Sequence, residues 1–289
     1  MFRAIAKRHV FTGSMLDRYA ETRPAPGHAG PGIHRVHLKK SGGILERTAS
    51  YRIKKQNLMR LSDWESVKMA TYVFVHGGNM STETWNRLTI GDPVHTKDGY
   101  LGAGYWDGTV SVLRAHNHRV FAPTLKDENS CHLIDHIGQI CSLITENDLR
   151  DVILVGHSYG GMVITGVADK MADRIGRLVY LDAALPDPGQ SLYDLLDQGQ
   201  SASSVSRPVL PEPAPPYVEK LQFDAANLEP LPKTYILCTK SEFIDVTHIA
   251  RQKIAAAKKG WTYIELPSSH VPMADMPDEF YRLMLDDAK

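Results

Sequence analysis

Cysteine is scarce in this chain: three among 289 residues, Cys131, Cys141 and Cys238, widely spaced and without a Cys-x-x-Cys pair. An odd, scattered set argues against a disulfide framework and for reduced thiols, as expected of a cytoplasmic protein. Net charge is lacking too, with 33 basic and 33 acidic residues. The one-sided basic footprint of a nucleic-acid binder is therefore absent. No apolar run approaches the length of a membrane span, and the opening MFRAIAKRHVF is too broken by Lys and Arg to read as a secretory signal. Metal-ligand patterns are equally thin. His132 and His136 in HLIDH could share a helix face, but the glutamate of His-Glu-x-x-His and a third ligand are missing, so a solvated or partly buried face is expected. Gly156, Gly160 and Gly161 are not followed by Lys-Ser/Thr, which excludes a phosphate-binding P-loop.

What is present is regular alternation over most of the chain. Residues 1–69 form an extension with scattered basic residues, a linker-like PAPGHAGPGIH and no sustained periodicity. Residues 70–289 read as one α/β domain. Strands are expected at 72–75, 119–122, 151–155, 177–181, 234–238 and 262–266, and helices around 108–116, 132–147, 160–172, 244–258 and 277–286. Strands alternating with helices predict a mostly parallel sheet covered on both faces, with the loops after each strand gathered along one rim. Two segments break the alternation: 86–106, rich in Gly and aromatics, and about 183–232, with RPVLPEPAPPY in its middle. The second is too long for an ordinary connection and is expected to form a lid over that rim.

The stretch ILVGHSYGGMVI, residues 153–164, places Ser158 between two glycines where an apolar strand pattern meets a helix pattern. Joining the two so abruptly requires a strained turn, and Gly156 and Gly160 remove the Cβ atoms that would clash there. The result is a nucleophile elbow that lifts the Ser158 hydroxyl clear of the sheet. The elbow's backbone strain is expected to rest on the glycines. The Tyr159 N–H then faces a developing oxyanion, and Gly78 in FVHGGNM is the candidate for the second donor. His76 reads as a buried histidine shaping that loop rather than a proton carrier. His270 follows the last regular strand in PSSHVPMADMP, where a triad ordered serine, acid, histidine would place its general base.

The blocks TYVFVHGG, DVILVGHSYGGMVITGVAD, LVYLDAALPDPGQS and ELPSSHVPMADMPDEF together resemble the α/β-hydrolase superfamily, in particular the small esterases grouped with plant methylesterases and hydroxynitrile lyases. The resemblance implies an eight-stranded type of sheet, a lid between the sixth and seventh core strands, and a Ser–His–acid mechanism without cofactor or metal. It also implies an acid after either the sixth or the seventh core strand. Asp182 ends a thoroughly apolar strand, where a carboxylate is costly unless paired, whereas Glu242 and Asp245 lie near the later position occupied by Ser241. Asp182 is favoured on those grounds. The expected activity is hydrolysis of a small or medium carboxylic ester, or a lactone, through an acyl-enzyme on Ser158. A hydroxynitrile lyase and a receptor-like binder with little turnover are the alternatives. Met69 stands like a natural start before the first strand, so the extension is expected to be dispensable for chemistry. Packing over the lid, or association into a homo-oligomer, is its alternative role.

Overall fold

The computed structural model describes residues 69–88, 93–201, 214–257 and 259–287. Six strands form one parallel sheet: β1 (Thr71–Val75), β2 (Arg119–Phe121), β3 (Val152–His157), β4 (Ile175–Leu181), β5 (Lys233–Cys238) and β6 (Trp261–Leu266), in the order β2-β1-β3-β4-β5-β6. Each lies within a residue or two of its expected position. The eight strands implied by the resemblance are not reached: the described residues supply six. Residues 1–68, and so nearly all of the expected extension, lie outside the described residues.

Helices α1 (Thr82–Leu88), α2 (Asp107–Ala115), α3 (Leu133–Glu146), α4 (Gly160–Met171), α5 (Leu192–Ser201), α6 (Pro215–Val218), α7 (Ala225–Leu228), α8 (Ile244–Ala256), α9 (Pro272–Asp275) and α10 (Pro277–Asp287) complete the elements used below. The sheet is buried on both faces, which is why its strands read as near-continuous apolar runs. Period-two alternation divides them. Val73, Val75, Leu154, Leu178 and Tyr235 enter one cluster with Ile137 and Ile140 of α3 and Val163 and Val167 of α4. Tyr72, Phe74, Val155, Val179 and Ile236 enter the other with Leu113 of α2 and Phe280 and Met284 of α10. Each fully buried side chain of this size stabilises the fold by about 1.5–3 kcal/mol before entropy is counted.

The 86–106 segment is more integral than its composition suggested. Its last residues, Tyr105 and Trp106, form a short 3₁₀ turn with Gly102–Gly104 and are buried in the second cluster, where the Trp106 ring packs on Phe74 at 4.9 Å. Between β4 and β5 the chain leaves the sheet through α5, α6 and α7. Lys253 on α8 pins the start of this excursion: its Nζ donates to the Leu185 carbonyl at 2.8 Å and pairs with Asp187 at 3.0 Å.

The sheet order defines a switch point on one rim. From β1 the chain steps outward to β2, then returns to the other side of β1 for β3 and proceeds away from it. The crevice between the C-terminal ends of β1 and β3 is the topological switch point, where open α/β sheets bind ligands. His76-Gly77-Gly78 follows β1 there, and Ser158 follows β3.

Candidate active site

The turn from β3 to α4 is as tight as the glycine spacing required. A Cβ on Gly156 would lie 2.6 Å from the Gly160 carbonyl oxygen, and one on Gly160 would lie 2.7 Å from that of Val75. The strain, however, is not on those glycines. Ser158 itself adopts φ +56°, a left-handed conformation that costs a residue with a Cβ about 1–2 kcal/mol. The glycines provide clearance, and the serine bears the torsion. Ser158 N–H donates to Leu181 O at 3.3 Å and Ser158 O accepts from Ala184 N–H at 3.0 Å. The elbow is thus stitched to the end of β4 and the residues after it.

Asp182 closes β4 with a second left-handed backbone, φ +43°, and a side chain with 0% exposure. Its Oδ1 accepts from the Cys238 N–H at 3.0 Å, and its Oδ2 receives the Nδ1–H of His270 at 2.7 Å. Glu242 is exposed, and Ser241, not Glu242 or Asp245, places an oxygen near the ring, 3.4 Å from Nδ1. The acid on His270 is therefore the one at the end of β4. Bonding to Nδ1 leaves Nε2 as the nitrogen free to take a proton, the arrangement a general base needs.

His270 is fixed to the elbow by a residue that sequence reasoning passed over. His157, adjacent to Ser158 and 1% exposed, donates its Nε2–H to the His270 carbonyl at 2.7 Å, and the two rings lie 4.5 Å apart. Phe243 packs on another side of the His270 ring at 4.9 Å. Nothing in the local pattern of GHSYG singled out this histidine as a tether.

Across the crevice, the loop after β1 meets the serine directly: a Cβ on Gly77 would lie 2.7 Å from Ser158 Cβ. His76 donates from Nδ1 to Gly77 O at 2.8 Å and accepts the Leu125 N–H on Nε2 at 2.9 Å. That tautomer is neutral, with both nitrogens occupied, so His76 shapes the loop and has no proton to exchange. The bond also engages the Gly77 carbonyl. The Gly78 N–H belongs to the same trans peptide and points opposite that carbonyl. Among the described residues, neither Gly78 N–H nor Tyr159 N–H donates to a protein acceptor. The two amides expected to stabilise an oxyanion are present on opposite sides of the switch point. Tyr159 is itself buried, and its hydroxyl donates to His136 Nδ1 at 2.9 Å while His136 Nε2–H donates to Lys126 O at 3.0 Å. His136 is a structural histidine inside the helix packing, and His132 lies exposed at the start of α3. No cluster of three metal-ligating side chains occurs among the described residues.

The buried histidines are expected to make the fold acid-sensitive. Burial lowers His76 to about 4, moves His136 down, and holds His157 well below the ordinary imidazole value, the last with help from neighbouring His270. A histidine depressed in the folded state binds fewer protons than its unfolded counterpart below about pH 6.5, so stability falls as pH falls from there. His76 alone is expected to cost roughly 2 kcal/mol at pH 5 relative to pH 7. Urea unfolding at the two pH values checks this; equal midpoints would contradict it.

Comparison with known proteins agrees with the geometry. A profile described as "Alpha/beta hydrolase family" matches residues 72–224. A carbendazim hydrolyzing esterase from Nocardioides sp. (strain SG-4G) is 31% identical over 257 residues, covering 73% of this chain and 96% of that protein. Putative methylesterase 13, chloroplastic, of Arabidopsis thaliana is 26% identical over 199 residues, 62% of this chain and 40% of the relative. Among solved structures, an extracellular alpha/beta-hydrolase from a Paenibacillus species superimposes with a TM-score of 0.55 at 25% identity, over 75% of this chain and 98% of that one.

Proposed function

The chain belongs to the alpha/beta hydrolase family, and from that membership we propose that it is a serine esterase acting on a small or medium carboxylic ester or a lactone. The observation that carries the reading is the buried Asp182 carboxylate bonded at 2.7 Å to His270 Nδ1, on a loop tethered to the strained serine of the elbow. Ser158 attacks the carbonyl carbon while His270 Nε2 takes its proton. Negative charge collects on the carbonyl oxygen, stabilised by the Gly78 and Tyr159 amides. Collapse expels the alkoxide, which leaves with the proton from His270, and water repeats the sequence on the acyl-enzyme. Asp182 holds the imidazole in the productive tautomer throughout. A relative named as a carbendazim hydrolyzing esterase and another named as a putative methylesterase support an ester-cleaving role.

The excursion of residues 183–232 is proposed as the lid that selects the substrate. Tyr217 on α6 supports this, with its hydroxyl 3.0 Å from where a Cβ on Gly78 would sit. A panel of p-nitrophenyl esters and lactones of graded acyl length tests the reading: a Ser158-dependent burst of p-nitrophenol is expected. Cyanohydrin cleavage without ester turnover would favour a lyase instead, and ligand binding without either reaction a receptor-like role. Residues 1–68 are proposed to be outside the chemistry. A chain starting at Met69 should be soluble and hydrolyse the same esters, and loss of activity on truncation would overturn that.

A further inference from the structure

One carboxylate outside the proposed triad binds both the oxyanion loop and the excursion between β4 and β5. Glu128 Oε2 accepts the Asn79 N–H at 3.2 Å and also receives the Tyr217 hydroxyl. Asn79 follows Gly78, so this bond grips the N–H of the Gly78–Asn79 peptide. The carbonyl of the same peptide, Gly78 O, accepts from the Tyr105 hydroxyl at 3.2 Å. With both ends held, that peptide plane cannot rotate. The preceding plane is held at its carbonyl by His76. Of the four polar groups in the two planes, only Gly78 N–H is left without a protein partner among the described residues.

Tyr217 joins the second donor to the same assembly. Its ring meets that of Tyr159 edge-on, with centroids 4.9 Å apart. Glu128 also acts electrostatically on three tyrosines here: it helps hold Tyr105, Tyr159 and Tyr217 in their protonated forms, behind the larger effect of burial. A bare carboxylate beside an oxyanion loop would oppose the charge that develops there. Two hydrogen bonds into one oxygen disperse that charge while using it to fix geometry.

We propose that Glu128 is a positioning residue for the oxyanion loop, and that Tyr217 extends the same grip to α6, so that substrate enclosure and amide alignment are coupled. This rests on the esterase reading for its catalytic consequence, but not for its structural one. Glu128→Ala is expected to lower kcat by roughly tenfold to a hundredfold with KM nearly unchanged, the scale of a displaced rather than deleted donor. Glu128→Gln keeps one oxygen able to accept from both partners and should stay within about threefold of wild type. Tyr217→Phe should lose less than Glu128→Ala, and the double variant should lose no more than Glu128→Ala alone, because both act through one oxygen.

Hydrogen exchange of the segment containing Gly78 and Asn79, measured on the full chain beside the kinetics, separates the two claims. Faster exchange in Glu128→Ala with protection kept in Glu128→Gln supports positioning whether or not esters are turned over. Wild-type exchange in Glu128→Ala would overturn it, as would equal loss of kcat in the Gln and Ala variants. Absence of ester turnover in the wild-type protein would instead remove the esterase reading and leave the exchange result to decide the positioning role.

Discussion

Ser158→Ala is expected to reduce ester turnover by roughly a millionfold while leaving the chain folded. The scale is that of removing the nucleophile from a working serine–histidine unit, where what survives comes from the oxyanion donors and binding alone. Folding should survive because the methyl group of alanine fills the same space as the serine Cβ against Gly77, whose own Cβ position is only 2.7 Å away. The left-handed torsion at φ +56° is present before and after the change, so no new strain is introduced. Ser158→Gly separates torsion from chemistry. It should be equally inactive, yet melt at a temperature no lower than Ser158→Ala, because glycine adopts positive φ without the Cβ clash. Retained turnover in either variant would contradict the nucleophile assignment.

Asp182→Asn is expected to lower kcat by about 10⁴-fold with little loss of stability. The amide oxygen can keep the bond from the Cys238 N–H, and asparagine tolerates the left-handed backbone at φ +43° better than most residues. The amide NH₂, however, now faces His270 Nδ1 as a donor. Nδ1 must then accept, the ring proton moves to Nε2, and the nitrogen that should receive the serine proton is already occupied. Glu242→Gln should cost little, since Glu242 is exposed. Adding Ser241→Asp to Asp182→Asn offers a sharper check. Ser241 Oγ already lies 3.4 Å from Nδ1, so a carboxylate there should restore part of the lost kcat. If Asp182→Asn is active and Glu242→Gln is not, the acid is misassigned.

Much of this arrangement was legible in the sequence because it depends on short-range regularities. A parallel strand buried on both faces must be a run of apolar residues, so β1, β3, β4 and β5 declared themselves. Ser158 was marked by clearances that only glycine provides, and Asp182 by the cost of ending a buried strand in a carboxylate. Where the strain would fall was not legible: glycine at 156 and 160 signals lack of space, and the positive φ lies on the serine between them. The supporting residues were hidden for a different reason. Glu128 and Tyr217 are 89 residues apart, and His76 and Leu125 are 49 apart. No periodicity links such pairs; only the folded chain brings them together. The 86–106 segment misled through its composition, since Gly and aromatic residues read as an interruption while Tyr105 and Trp106 were core-forming.

Peptide mapping after brief treatment with a fluorophosphonate tests the central assignment most directly, because phosphonylation requires a hydroxyl activated by a base and an oxyanion site in one place. An activated Ser158 predicts one adduct per chain, on the peptide containing Ser158, lost in Ser158→Ala and strongly slowed in Asp182→Asn. An adduct on another serine, or rapid ester hydrolysis by a chain that stays unlabelled at Ser158, would contradict it.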